Sequence, residues 1–71
     1  MKKIAILGST GSIGSSLIKI IKKDKKNFKI ELITANKNYK KLITQVKFFK
    51  IKNVIVTDQN SFLKVKKFFR N

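Results

Sequence analysis

The glycines of this chain are confined to one short stretch whose residue types could bind a phosphate. Gly8, Gly11 and Gly14 are the three glycines of the sequence, and serine, threonine and isoleucine fill the positions between them. Glycine permits a sharp turn with positive φ and lets a ligand approach bare backbone. A helix that begins at such a turn presents unpaired N–H groups to an anion. The glycine loop, residues 8–14, therefore predicts a phosphate site.

The spacing of the glycine loop, G-x-x-G-x-x-G, suggests a separate role for each glycine. We expect Gly8 to make the turn out of a strand, Gly11 to let backbone approach a phosphate, and Gly14 to let the next helix pack closely. The hydroxyls of Ser9, Thr10 and Ser12 would add hydrogen-bond donors. The alternative is a tight strand-to-helix turn with no ligand.

The elements that must position this loop alternate along the chain as β-α-β-α-β-α. Strands are predicted at residues 2–7, 28–35 and 54–57, and helices from residue 12 to about 23, from residue 39, and after a cap at Ser61. The expected apolar helix faces are Ile13, Leu17, Ile20 and Ile21, then Tyr39, Leu42, Ile43, Val46 and Phe49, then Phe62, Val65 and Phe69. This order predicts an α/β fold, a partial Rossmann-type doubly wound parallel sheet that occupies residues 1–71 as one unit.

A second loop, residues 36–38, follows the second predicted strand and bears on the choice of ligand. Ligands of parallel sheets bind at the carboxyl ends of the strands, where an NAD site generally carries an acid that accepts from the ribose hydroxyls. The second loop holds Asn36, Lys37 and Asn38 and no acid. Because Lys37 would attract a 2′-phosphate and Asn38 could donate to it, we predict NADPH in preference to NADH.

The remaining composition offers no catalytic apparatus within these residues. The chain has no cysteine and no histidine, and its three acids, Asp24, Glu31 and Asp58, fall in different predicted segments. None of them has the spacing of a metal site or an acid/base pair. We therefore predict no catalytic and no metal-binding residue here.

The net charge of +15 raises the hypothesis of a nucleic-acid partner. Lysine outnumbers arginine 17 to 1 and is spread through every segment, as AT-rich codon usage would produce, with no arginine cluster. We expect no specific nucleic-acid binding. The apolar run before Gly8 is too short for a signal peptide or a membrane span, so we expect a cytoplasmic protein without membrane contact.

Several strings of the sequence resemble one enzyme family. Residues 4–14 read I-A-I-L-G-S-T-G-S-I-G, residues 35–38 read A-N-K-N, and Asn27-Phe28 and Val54-x-Val56-x-Asp58 lie at matching places. Together they resemble the N-terminal, NADPH-binding region of 1-deoxy-D-xylulose 5-phosphate reductoisomerase. The resemblance implies cofactor contacts at Thr10, Gly11, Ser12, Ile13, Asn36, Lys37 and Asn38. Asn36 departs from the family, which usually has glycine at that position.

The resemblance also implies an activity that this stretch alone would not perform. Family members use NADPH and Mg²⁺ or Mn²⁺ to convert 1-deoxy-D-xylulose 5-phosphate to 2-C-methyl-D-erythritol 4-phosphate in non-mevalonate isoprenoid biosynthesis. They are several hundred residues long, so we expect a fragment without the catalytic domain, with metal, sugar phosphate and homodimer contacts only in a full-length enzyme. Two alternatives stay open: an NADP-dependent semialdehyde or acyl-phosphate reductase, and a small basic module for nucleic acid or membrane surfaces.

Overall fold

A computed structural model describes residues 1–70 of the chain. Its elements, in chain order, are β1 (Lys2–Ile6), α1 (Ser12–Lys23), a short 3-10 helix (Lys25–Asn27), β2 (Phe28–Ala35), α2 (Tyr39–Phe49), β3 (Asn53–Val56) and α3 (Gln59–Arg70). The predicted alternation of strands and helices is confirmed. The bounds of α1 and β2 agree with the prediction, whereas β1 ends one residue earlier and β3 is shifted by one residue toward the N-terminus.

The three strands form one parallel sheet in the order β1-β2-β3, which confirms the predicted topology. The pairing of β1 with β2 shifts by one residue after Ile30, so that Glu31 is left as a bulge. Because of this bulge, Ile30 and Ile33 both face the core although they are three residues apart. The consecutive apolar residues Leu32 and Ile33 directly follow this bulge.

The hydrophobic core lies between the sheet and the helices. Ile33 of β2, Leu42 of α2 and Val65 of α3 are the most completely buried apolar side chains. Helix α2 packs on β2 and on α3, and α3 also packs on β3. The predicted face of α2 is confirmed, since its members are buried or half-buried: Tyr39, Leu42, Ile43, Val46 and Phe49.

Helix α1 buries a face that shares only Ile21 with the predicted one. The predicted stripe is largely exposed, at 80% for Ile13, 44% for Leu17 and 62% for Ile20. The buried residues of this helix are Gly14, Ile18 and Ile21. Both sets recur with helical spacing, so periodicity alone could not distinguish them. Gly14 decides which face is buried, because the lack of a side chain there allows that face of the helix to contact the backbone of Gly8 and Ser9.

Helix α3 begins earlier than predicted and is capped by Asp58, not by Ser61. The Asp58 carboxylate accepts from the backbone N–H of Ser61 at 3.0 Å, which is the usual geometry of a side-chain cap. Ser61 itself lies in the first turn and is buried. Of the predicted apolar face, Val65 is buried, whereas Phe62 and Phe69 are 45% and 42% exposed.

The end of β1 also differs from the prediction of a buried strand. Leu7 lies in the turn after β1 and is 75% exposed, and Ala5 within the strand is exposed as well. One face of β1 is therefore covered and the other is open. None of the helices within residues 1–70 is long and apolar enough to cross a bilayer.

Candidate functional site

The glycine loop is fastened to the carboxyl end of β2 through one residue, Thr34. The backbone N–H of Gly8 donates to Thr34 Oγ1 at 2.8 Å, and that of Ser9 donates to the Thr34 carbonyl at 2.9 Å. Within the loop, the N–H of Gly11 donates to the Gly8 carbonyl at 3.0 Å and closes a turn. These bonds hold the loop against the same sheet edge from which the second loop leaves β2.

The three glycines differ in what the structure requires of them. Gly8 has a φ of +69°, a conformation that side chains disfavour. A Cβ at Gly14 would overlap the carbonyl oxygen of Gly8 and lie 2.7 Å from Ser9 Cα, so α1 can approach the loop only with glycine there. A Cβ at Gly11 would lie 3.4 Å from the Gly8 oxygen, which is an acceptable contact. The chain itself therefore needs glycine at positions 8 and 14 but not at position 11, where the exposed backbone without a side chain leaves room for a ligand to approach.

The start of α1 is suited to an anion. Gly11 is its N-cap residue, no side chain caps it, and its first turn contains no acid. The first N–H groups of a helix lack intrahelical partners and carry the positive end of the helix dipole. Ser12 and the side chain of Ile13 are exposed, and Thr10 is half-buried. The predicted phosphate contacts thus lie together on an accessible surface.

The second loop lies at the carboxyl end of β2, with Asn36, Lys37 and Asn38 all exposed. Asn38 caps α2, because its Oδ1 accepts from the N–H of Lys41 at 3.2 Å. This bond fixes the amide and leaves its NH₂ group oriented for another acceptor. Lys37 lies exposed in the second loop, and its contact with a 2′-phosphate stays a prediction.

A network from α3 supports Lys37. The Ser61 hydroxyl shares its one proton between two acceptors, the Lys37 carbonyl at 3.1 Å and the Asp58 carboxylate at 2.9 Å. Hydrogen bonds from the Ser61 backbone N–H and hydroxyl, with a smaller contribution from the charge of Lys37, hold the pKa of Asp58 below its ordinary value of 3.8. The carboxylate is therefore charged at neutral pH and holds the hydroxyl that orients the second loop.

Two positions important for the loop were missed in the sequence, Thr34 and Gln45. Gln45 of α2 forms a reciprocal pair with Ser9: the Ser9 hydroxyl donates to Gln45 Oε1 at 2.7 Å, and Gln45 Nε2 donates to the Ser9 carbonyl at 2.9 Å. Both residues are buried, at 0% and 6% exposure. The expectation that Ser9 offers its hydroxyl to a ligand is therefore wrong, because this hydroxyl is turned inward and donates to Gln45. The available signal was a glutamine on the apolar face of α2, one residue before Val46.

Tyr39 and the acids complete the surroundings of the site. Tyr39 is half-buried, and its hydroxyl accepts from Lys64 Nζ at 3.2 Å, in keeping with its predicted place on the packed face of α2. Within residues 1–70, no three acidic, histidine or cysteine side chains are grouped so that they could hold a metal ion. Residues 1–70 therefore do not form a ligand set for the Mg²⁺ or Mn²⁺ that the resemblance implies for a full-length enzyme.

Comparison with known proteins agrees with this architecture. Three parallel strands with a glycine loop between the first strand and helix define a partial Rossmann-type unit. The family model for 1-deoxy-D-xylulose 5-phosphate reductoisomerase matches residues 4–71. The chain belongs to this reductoisomerase family.

Relatives and a solved structure show how much of such an enzyme the chain represents. It is 76% identical over 71 residues to the 1-deoxy-D-xylulose 5-phosphate reductoisomerase of Pelagibacter ubique and 46% identical over 68 residues to that of Clostridium tetani, and it spans 18% of each. A structure of the Zymomonas mobilis enzyme in complex with NADPH superposes with a TM-score of 0.87 at 29% identity, over 93% of this chain and 17% of that one.

Proposed function

We propose that this chain binds NADPH at the carboxyl edge of its sheet. The observation that carries the proposal is the attachment of the glycine loop to Thr34, which brings the glycine loop and the second loop to one place. A dinucleotide in a Rossmann-type unit uses both: its pyrophosphate lies at the first helix and its adenosine ribose lies beside the end of the second strand. The likeness to an NADPH complex supports the same cofactor here.

The contacts are assigned residue by residue. Backbone N–H groups at the start of α1 take the pyrophosphate, with Gly8 and Gly14 shaping the loop; the contact residues are Thr10, Gly11, Ser12 and Ile13. In the second loop, Lys37 and the amide of Asn38 take the 2′-phosphate. Asn36, which is exposed at the end of β2, completes the proposed contacts beside the adenosine.

We further propose that the chain supplies the cofactor-binding portion of a reductoisomerase acting on 1-deoxy-D-xylulose 5-phosphate. NADPH provides the hydride, and the residues described here bind and orient it. The catalytic domain, the divalent metal, the sugar-phosphate site and the homodimer contacts belong, in this proposal, to the rest of a full-length enzyme. A cytoplasmic location stays a prediction, which cell fractionation would test.

Titration of the full chain with NADPH and NADH tests the cofactor assignment. We expect saturable binding with NADPH preferred, and the preference should fall by about tenfold in Lys37→Ala, because a charge-assisted contact to phosphate is lost. Lys66→Ala, an exposed lysine of α3, removes the same charge away from the site and is the matched control. Equal affinity of the unaltered chain for the two nucleotides would contradict NADPH. A basic nucleic-acid module would instead show no preference and a steep salt dependence.

A further inference from the structure

Lys41 connects the two loops of the proposed site, although nothing in its sequence context distinguishes it from the sixteen other lysines. Its Nζ donates to Ser15 Oγ on α1 at 2.6 Å and lies 3.5 Å from the Thr10 carbonyl in the glycine loop. Its backbone N–H is the group capped by Asn38 at 3.2 Å. One residue therefore touches the glycine loop with its side chain and the second loop with its backbone.

The charge of Lys41 is met by neutral oxygen atoms. Its side-chain partners are a hydroxyl and a carbonyl, and the ion pair found among residues 1–70 is Lys29 with Glu31, remote from the site. Other lysines with tertiary contacts lie over aromatic rings: Lys22 and Lys25 over Phe48, Lys47 over Phe68, and Lys64 over Tyr39. Lys41 thus holds an ammonium group beside the candidate site without a carboxylate to neutralise it.

We propose that Lys41 is a second cation for the 2′-phosphate of NADPH and, with Lys37, determines the preference over NADH. This inference rests on the proposed NADPH function. Because Ser15 lies one turn into α1 and Thr10 lies in the glycine loop, the ammonium group is held beside that loop, on the side of α1 that faces α2. The space between Thr10 and Asn38 is where the adenosine ribose of a dinucleotide lies. A phosphate on that ribose would meet Lys41 on one side and Lys37 on the other.

The existing contacts prepare Lys41 for this role. The bonds to Ser15 and Thr10 restrict a long side chain before the ligand arrives, which lowers the entropy lost on binding. The phosphate would replace these neutral acceptors with charged oxygen atoms, so that a charged donor meets a charged acceptor. An NADH molecule offers only a neutral hydroxyl at this position and would gain far less from the charge of the lysine.

Affinities of the full chain for NADPH and NADH, measured at one ionic strength, test the inference in three variants. Lys41→Ala should weaken NADPH binding by about tenfold and change NADH binding by less than about twofold. Lys41→Arg keeps the charge and should remain within about threefold of the unaltered chain for both. Lys40→Ala is the matched control: it removes the same charge from the neighbouring exposed residue of α2 and should leave the preference unchanged. Helix content by circular dichroism checks that each variant is folded.

The outcomes separate this inference from the function on which it rests. Equal losses for NADPH and NADH in Lys41→Ala would place the lysine on the pyrophosphate and overturn the inference. An unaltered NADPH preference in Lys41→Ala, together with its loss in Lys37→Ala, would overturn the role of Lys41 and leave the proposed function standing. If the unaltered chain shows no preference, both fail.

Discussion

The pairing of Gln45 with Ser9 predicts that a residue outside the cofactor site controls both stability and cofactor affinity. Gln45→Leu keeps the approximate volume of the side chain but removes the acceptor for the Ser9 hydroxyl and the donor to the Ser9 carbonyl. Both groups are buried, so water does not readily replace the lost partners. The glycine loop would then lose its attachment to α2 and keep its attachment to Thr34.

The expected loss can be worked out from these contacts. An unsatisfied buried polar group costs about 1–3 kcal/mol, and Gln45→Leu leaves two of them. The hydroxyl of Ser9 retains a weak alternative acceptor, the Thr34 carbonyl at 3.5 Å, which reduces its share of the loss. We therefore expect a decrease of about 2–4 kcal/mol in the free energy of unfolding. Because the loop carries the pyrophosphate contacts in the proposed function, NADPH affinity should also fall.

Urea unfolding of a double-mutant cycle tests this reasoning. Ser9→Ala alone removes a buried hydroxyl and strands the Gln45 oxygen, whereas in the Gln45→Leu background the same change removes a hydroxyl that already lacks its partner and should be nearly neutral. Thr44→Ala is the control: this exposed residue of α2 bonds only to the helix carbonyl of Lys40, and its loss should cost less than about 0.5 kcal/mol. Additive effects of the Ser9 and Gln45 changes would refute the pairing.

Further predictions concern the glycines and Asp58. In Gly14→Ala the new methyl group would overlap the Gly8 carbonyl, and the free energy of unfolding measured in urea should fall by about 1–3 kcal/mol. Gly11→Ala should leave this stability nearly unchanged and weaken NADPH binding in a nucleotide titration. Equal destabilisation by the two substitutions would contradict the geometry. Since hydrogen bonds from Ser61 lower the pKa of Asp58 in the folded chain, the carboxylate stabilises the fold above its ordinary pKa of 3.8, and this contribution is lost as pH falls through the lowered value. Asp58→Asn should therefore be less stable than the unaltered chain at neutral pH and lose less stability below about pH 4; parallel acid unfolding curves would contradict this.

The parts of the fold that depend on residues close together in the sequence were predictable. The bounds of α1 and β2 and the parallel order of the strands followed from periodicity and from alternation along the chain. The cap of α3 was misplaced by three residues, because Asp58 and Ser61 are both good capping residues and the sequence pattern favours neither. The buried face of α1 was wrong for a similar reason, since two stripes with the same spacing overlap.

The supports of the candidate site were not predictable from periodicity. Gln45 and Ser9 are 36 residues apart, and Lys41 and Thr10 are 31 residues apart. Such pairs form only because the parallel crossover from β1 to β2 returns the chain to the same sheet edge. The glycines at positions 8, 11 and 14 could be recognised because their requirements are local, whereas a glutamine on an apolar helix face acquires its role only when the opposite loop is in place.

The large positive charge of the chain contributes little to its preference for NADPH over NADH. A net charge of +15 attracts any polyanion over a range that salt limits to about 8 Å at physiological ionic strength, and it attracts NADPH only somewhat more than NADH. Preference between the two must therefore come from cations held in contact with the 2′-phosphate. Two lysines lie at that edge: Lys37, whose backbone carbonyl accepts from Ser61, and Lys41, whose ammonium group donates to Ser15. The NADPH preference should accordingly persist as salt is raised while both affinities fall, and a preference that disappeared with salt would assign it to diffuse charge.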